Sequence, residues 1–85
     1  MKIIKLKKAE KFLFKLDNIT KENLEKNING LLNWQGDIKQ IIGTPFYRLK
    51  IKNYRIAFIL TDDEIIITLI GQRENFYKKL KRSNK

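Results

Sequence analysis

Apolar residues along this chain first recur with a helical period and then switch toward alternation, and the change falls near Gly36. Ala9, Phe12, Leu13 and Leu16 stand at i, i+3, i+4 and i+7, the spacing of one apolar helix face. Asp17-Asn18 interrupts the pattern, and Thr20 is the expected N-cap of a second helix with Glu22 in its first turn. Leu24, Ile28, Leu31 and Leu32 carry the period on to about Trp34, with Gly36 as the expected stop. The two segments predict a helical hairpin with one shared apolar seam. A short β-prone run, Lys2 to Leu6, precedes it.

Beyond Gly36 the period approaches two. Gly43-Thr44-Pro45 is a turn signal, Phe46 to Ile51 alternates apolar with basic, Tyr54 to Leu60 is strongly β-prone, and Glu64 to Ile70 is almost wholly β-branched. Asp62-Asp63 reads as a tight hairpin turn and Lys52-Asn53 as a weaker one. Phe76 and Leu80 are spaced for one short helix, and Lys81 to Lys85 read as a solvated tail. The prediction is an α+β domain spanning residues 1–85. It has an N-terminal strand, a helical hairpin, a three-stranded antiparallel meander joining one small sheet, and a short C-terminal helix.

Strand parity assigns faces. Tyr47, Leu49, Ile51, Tyr54, Ile56, Phe58, Leu60, Ile65, Ile67 and Leu69 form the richer apolar face, expected to pack on the helical hairpin. The opposite face carries Arg48, Lys50, Arg55, Ala57, Ile59, Ile66, Thr68 and Ile70. A symmetric loop at Lys52-Asn53 pairs Lys50 with Arg55 and Arg48 with Ala57, the small alanine leaving room beside the charges. Like charges directly opposite each other destabilise a ladder, so stability alone does not account for this crowding.

Charge and composition narrow the chemistry. The 85 residues hold 19 Lys and Arg against 9 Asp and Glu, a formal net charge of +10, which points to an anionic partner. Cysteine and histidine are both missing. Disulfides and zinc-thiolate clusters are thereby excluded, and so are the commonest metal ligand and the usual general base. No cofactor or metal is expected. The glycines form no phosphate loop, Asp62 and Asp63 are turn residues, and no serine has a histidine partner. No apolar run approaches the roughly 18–20 residues of a membrane span. The start lacks the apolar block of a signal peptide, so a cytoplasmic protein is the expectation.

Five side chains can converge on this topology: Arg48, Lys50, Arg55, Arg73 and Tyr77. The first three share a sheet face, and Arg73 and Tyr77 lie one helical turn apart. Such a group can bind a phosphate, neutralise charge growing on it, and stack a base on the phenol. Plainer readings stand beside this one. Arg48, Lys50 and Lys52 can be the solvated side of an edge strand. Arg73 can be a surface charge at a helix start, and Tyr77 a core aromatic beside Phe76. Trp34 reads as the cover over the end of the helical hairpin.

The order of elements, with Ile42-Gly43, Tyr47-Arg48-Leu49-Lys50, Asn53-Tyr54-Arg55-Ile56 and Ile70-Gly71-Gln72-Arg73 through Tyr77, resembles the RelE/ParE toxin superfamily, the RelE-like branch above all. The likeness spans the chain in length and order, and its last forty or so residues in motif. It implies a toxin of a type II toxin–antitoxin system that cleaves messenger RNA on the ribosome without a metal, by attack of the RNA's 2′-hydroxyl on the adjacent phosphate. It also implies a cognate acidic antitoxin and a toxin–antitoxin hetero-oligomer. Arg48 and Lys50 would hold the strand-borne basic positions, Arg55 and Arg73 the phosphate-contacting arginines, and Tyr77 the C-terminal tyrosine. Lys50 or Tyr77 would take the 2′-hydroxyl proton, Lys50 being preferred as base or as electrostatic stabiliser. Many relatives carry histidine where Gln72 stands. A ParE-like inhibitor of DNA gyrase and a non-catalytic nucleic-acid-binding module are the alternatives.

Overall fold

The computed structural model describes residues 1–83. Its elements run β1 (Lys2–Lys5), α1 (Lys7–Phe14), α2 (Asn18–Asn29), a 3-10 turn (Gly30–Asn33), β2 (Asp37–Gln40), β3 (Tyr47–Ile51), β4 (Tyr54–Leu60), β5 (Glu64–Gln72) and α3 (Arg73–Ser83). One five-stranded sheet has the order β1-β5-β4-β3-β2, with β1 parallel to β5 and every other pair antiparallel. The α+β class, the N-terminal strand, the helical hairpin, the meander and the C-terminal helix are all present. Among the described residues no helix is long and apolar enough to cross a membrane.

Helices cover both faces of the sheet. Ala9 and Leu13 of α1, with Leu24 and Ile28 of α2 and Leu31, pack on Leu49, Ile51, Ile56, Phe58, Ile65, Ile67 and Ile70. On the other face Phe76 and Leu80 of α3 pack on Ala57, Leu69 and Phe46. The room expected beside Ala57 is therefore largely filled by α3. Burial of apolar side chains on both faces is the main favourable term, at roughly 25 cal/mol per Å² removed from water.

Several boundaries differ from expectation for local reasons. The second helix starts at Asn18, not after Thr20, because the Asp17 side chain is the cap and accepts from the Thr20 backbone N–H at 3.0 Å. The α-helix ends at Asn29, and the apolar run continues as a 3-10 turn closed by Trp34 in the left-handed conformation. Trp34 covers the sheet, edge-on to Tyr47 and Phe58 at 5.5 and 5.9 Å. The expected tail is helical through Ser83. Asn84 and Lys85, read as part of that tail, lie outside the described residues.

Two features went unforeseen, and both shape the candidate site. The first is β2, which makes β3 an interior strand with Asp37 opposite Lys50 and Lys39 opposite Arg48. Gly36 admits the chain into it with φ of 117°, where a Cβ would come within 2.7 Å of Leu49 Cδ1. The second is a β-bulge in β5. Ala57 faces Leu69 and Phe58 faces Ile67, so Thr68 is the extra residue, its hydroxyl donating to the Ala57 carbonyl at 3.2 Å. One added residue reverses the alternation beyond it. Leu69, expected on the helical-hairpin face, packs with α3, while Ile70 packs with α1 and α2. Gly71 consequently lies opposite Arg55, on the cationic face.

Candidate functional site

The turn between β3 and β4 sets the register on which the site depends. Lys52 and Asn53 form a two-residue loop, with Lys52 at φ of 51°, and the ladder pairs Lys50 with Arg55 and Arg48 with Ala57 as the symmetric loop requires. Three cations on one sheet face follow directly. The Arg73 backbone N–H donates to the Asn53 carbonyl at 2.7 Å, tying the start of α3 to this loop. The bulge and this hydrogen bond together bring α3 onto the cationic face. Tyr77 follows one turn later, half exposed, its ring edge-on to Phe76 at 5.0 Å.

All five expected residues line one cavity of about 470 Å³. Arg48, Lys50, Arg55, Arg73 and Tyr77 thus come from two neighbouring strands and a helix to one hollow. That volume lies within the range of small-molecule sites, roughly 300–1,000 Å³. Two further residues line it, Asp37 and Lys39, both supplied by β2. Neither was found by sequence reading, because four residues with a single apolar member carry no period to detect. The alternation Asp37-Ile38-Lys39, with Ile38 packed on the core, is the only signal available.

The two arginines in the sheet are held differently. Arg55 is 7% exposed, and its Nη1 donates to the carbonyls of Lys52 and Tyr54 at 2.8 and 3.0 Å. Those bonds anchor the guanidinium at the hairpin end. Arg48 is 8% exposed; its Nη2 lies 3.7 Å from Asp37 Oδ1, and its buried Nη1 has no hydrogen-bond partner among the described residues. A buried donor left unpaired costs about 1–3 kcal/mol. Arg48 lines the hollow, so its guanidinium is among the charges that an entering anion meets. Lys50 and Arg73 are exposed, so their charges reach a ligand from the open side.

Plainer readings of these residues fare unevenly. Arg48 is neither solvated nor on an edge strand, whereas Lys52 is an exposed turn residue. Tyr77 is not enclosed in the core. Gln72 pairs with Tyr54 on the ladder and does not line the cavity. In chemical terms the hollow offers five cations, one phenol and one carboxylate. That is a set suited to a phosphodiester.

No family model matches the chain, and no curated protein matches it. Solved structures do match. The RelB–RelE antitoxin–toxin complex from Methanococcus jannaschii aligns at 24% identity with a TM-score of 0.73, over 89% of this chain and 96% of that one. A mutant of the E. coli toxin RelE in the free state aligns at 22% identity with a TM-score of 0.74, over 94% of each chain. The intact E. coli RelBE toxin–antitoxin complex aligns at 21% identity with a TM-score of 0.70, over 82% and 93%. The chain has the RelE fold.

Proposed function

We propose that this protein is the toxin of a type II toxin–antitoxin pair and a metal-independent endoribonuclease that cuts messenger RNA on the ribosome. The observation that carries this reading is the meeting of Arg48, Lys50, Arg55, Arg73 and Tyr77 around one hollow, with a buried Arg48 donor unpaired. The RelE fold and the motif resemblance support the same conclusion.

The residues divide the work. Arg48 and Arg73 receive the non-bridging oxygens of the scissile phosphate, and Arg55, anchored by its two carbonyls, adds fixed positive charge beside them. Lys50 stabilises the charge that grows as the 2′-oxygen attacks. Tyr77 lies at the open side, where its ring stacks on a base and its hydroxyl reaches the leaving oxygen. The products are a 2′,3′-cyclic phosphate and a 5′-hydroxyl. The partner that silences the protein is an acidic antitoxin covering the basic face; the neighbours of this fold include complexes with the antitoxin RelB.

Primer extension on messenger RNA with and without ribosomes tests the proposal. Sharp cuts only in the presence of ribosomes are expected, and Arg73→Ala should slow cutting by about 10²–10³-fold, the cost of losing one preorganised charge donor. Intact transcripts with gyrase-dependent DNA breaks would replace this reading with that of a gyrase inhibitor. Retarded but uncut RNA would leave a binding module.

A further inference from the structure

The hollow contains a group that binding a phosphate does not call for. Asp37 puts a carboxylate among five cations, where it opposes an incoming phosphodiester. Its contact with Arg48 is long, at 3.7 Å, and its side chain is 53% exposed. A carboxylate retained only to pair Arg48 would be expected closer, within the 2.7–2.9 Å of a charge-assisted hydrogen bond. Its position instead leaves it accessible to a third party.

Transesterification needs an acceptor for the 2′-hydroxyl proton. Guanidinium and ammonium groups have donors and no acceptor, which removes Lys39, Arg48, Lys50, Arg55 and Arg73 in their charged forms. An ionised carboxylate is acceptor only. We infer that Asp37 is the general base of this site, a role that rests on the nuclease reading above. In the step, Asp37 takes the proton from the 2′-hydroxyl as the 2′-oxygen forms a bond to phosphorus. The bond from phosphorus to the 5′-oxygen breaks, and that oxygen takes a proton from the Tyr77 hydroxyl. Water returns the proton from Asp37 to Tyr77, and no oxidant, reductant or metal enters. Lys50, opposite Asp37 on the ladder, is then free to remain an ammonium and stabilise the transition state.

Single-turnover cleavage of ribosome-bound messenger RNA separates the possibilities. Asp37→Asn keeps the shape of the side chain on an exposed edge strand and should lower the cleavage rate by about 10²–10⁴-fold, the usual contribution of a general base. Ribosome affinity should hold or rise, because a charge that opposes the phosphates is gone, so that the loss falls on the chemical step alone. Asp37→Ala should be equally slow and should recover activity in proportion to added formate, which a purely structural role would not permit. Wild-type rates in Asp37→Asn would overturn the assignment, as would a slow Asp37→Ala that formate does not rescue. If the wild-type protein itself leaves RNA uncut, the nuclease reading fails and this role fails with it. If the wild type cuts and Asp37→Asn cuts equally well, only the base is wrong.

Discussion

Arg48 is the residue at which stability and function oppose each other. Its guanidinium is almost fully buried, holds one long ion pair, and keeps one donor unpaired. Replacing such a group by an apolar side chain of similar length is often neutral or stabilising, because the desolvation cost disappears. Arg48→Met should therefore unfold at an equal or higher urea concentration while losing about 10²–10³-fold in ribosome-dependent cleavage. A large drop in the urea midpoint would mean that the arginine holds the sheet together instead. Arg48, Lys50 and Arg55 were legible as a group because a two-residue turn leaves one register open to them. Asp37 was not, because the carboxylate acquires meaning only when its strand pairs with β3.

At the scale of elements, α3 carries Arg73 and Tyr77, two of the seven residues that line the hollow. Phe76 and Leu80 seat it on Ala57 and Leu69, and the Arg73–Asn53 hydrogen bond holds its first turn. Phe76 is fully buried, so Phe76→Ala should cost about 3–5 kcal/mol. A domain of this size has only about 4–13 kcal/mol in all, at 0.05–0.15 kcal/mol per residue. Chemical denaturation would measure the loss, and cleavage should fall with it because Arg73 and Tyr77 lose their platform. Unchanged stability would show that α3 contributes little to the core. The position of α3 could not be read beforehand, since Glu64 to Ile70 offers apolar side chains to both faces and conceals the bulge at Thr68. The β2 strand was hidden by its brevity, and Gly36 looked like a helix stop when its task is to pass Leu49 on the way into that strand.

Across the whole molecule, the excess of positive charge works against compactness and toward polyanions. Added salt screens exposed charges, so it should raise the protein's denaturation midpoint while weakening its hold on RNA. With five cations around the cavity, the logarithm of affinity for single-stranded RNA should fall with the logarithm of salt at a slope no steeper than about −3.5 if the cavity is the sole contact, taking about 0.7 per phosphate. Filter binding across a salt series would measure it. A slope near zero would show that the cations do not meet phosphates, and a much steeper one would bring in basic surface outside the hollow.

Apart from β2, the order of elements, the helical period of the first half, the alternation of the second and the pairing of Lys50 with Arg55 were determined by the sequence itself, because local periodicity and turn length act over a few residues. Tertiary structure alone decided which face Leu69, Ile70 and Gly71 take and whether Asp37 and Lys39 reach the cations. Those outcomes depend on one inserted residue and on a four-residue edge strand, and neither leaves a trace in local periodicity or in the length of a tight turn.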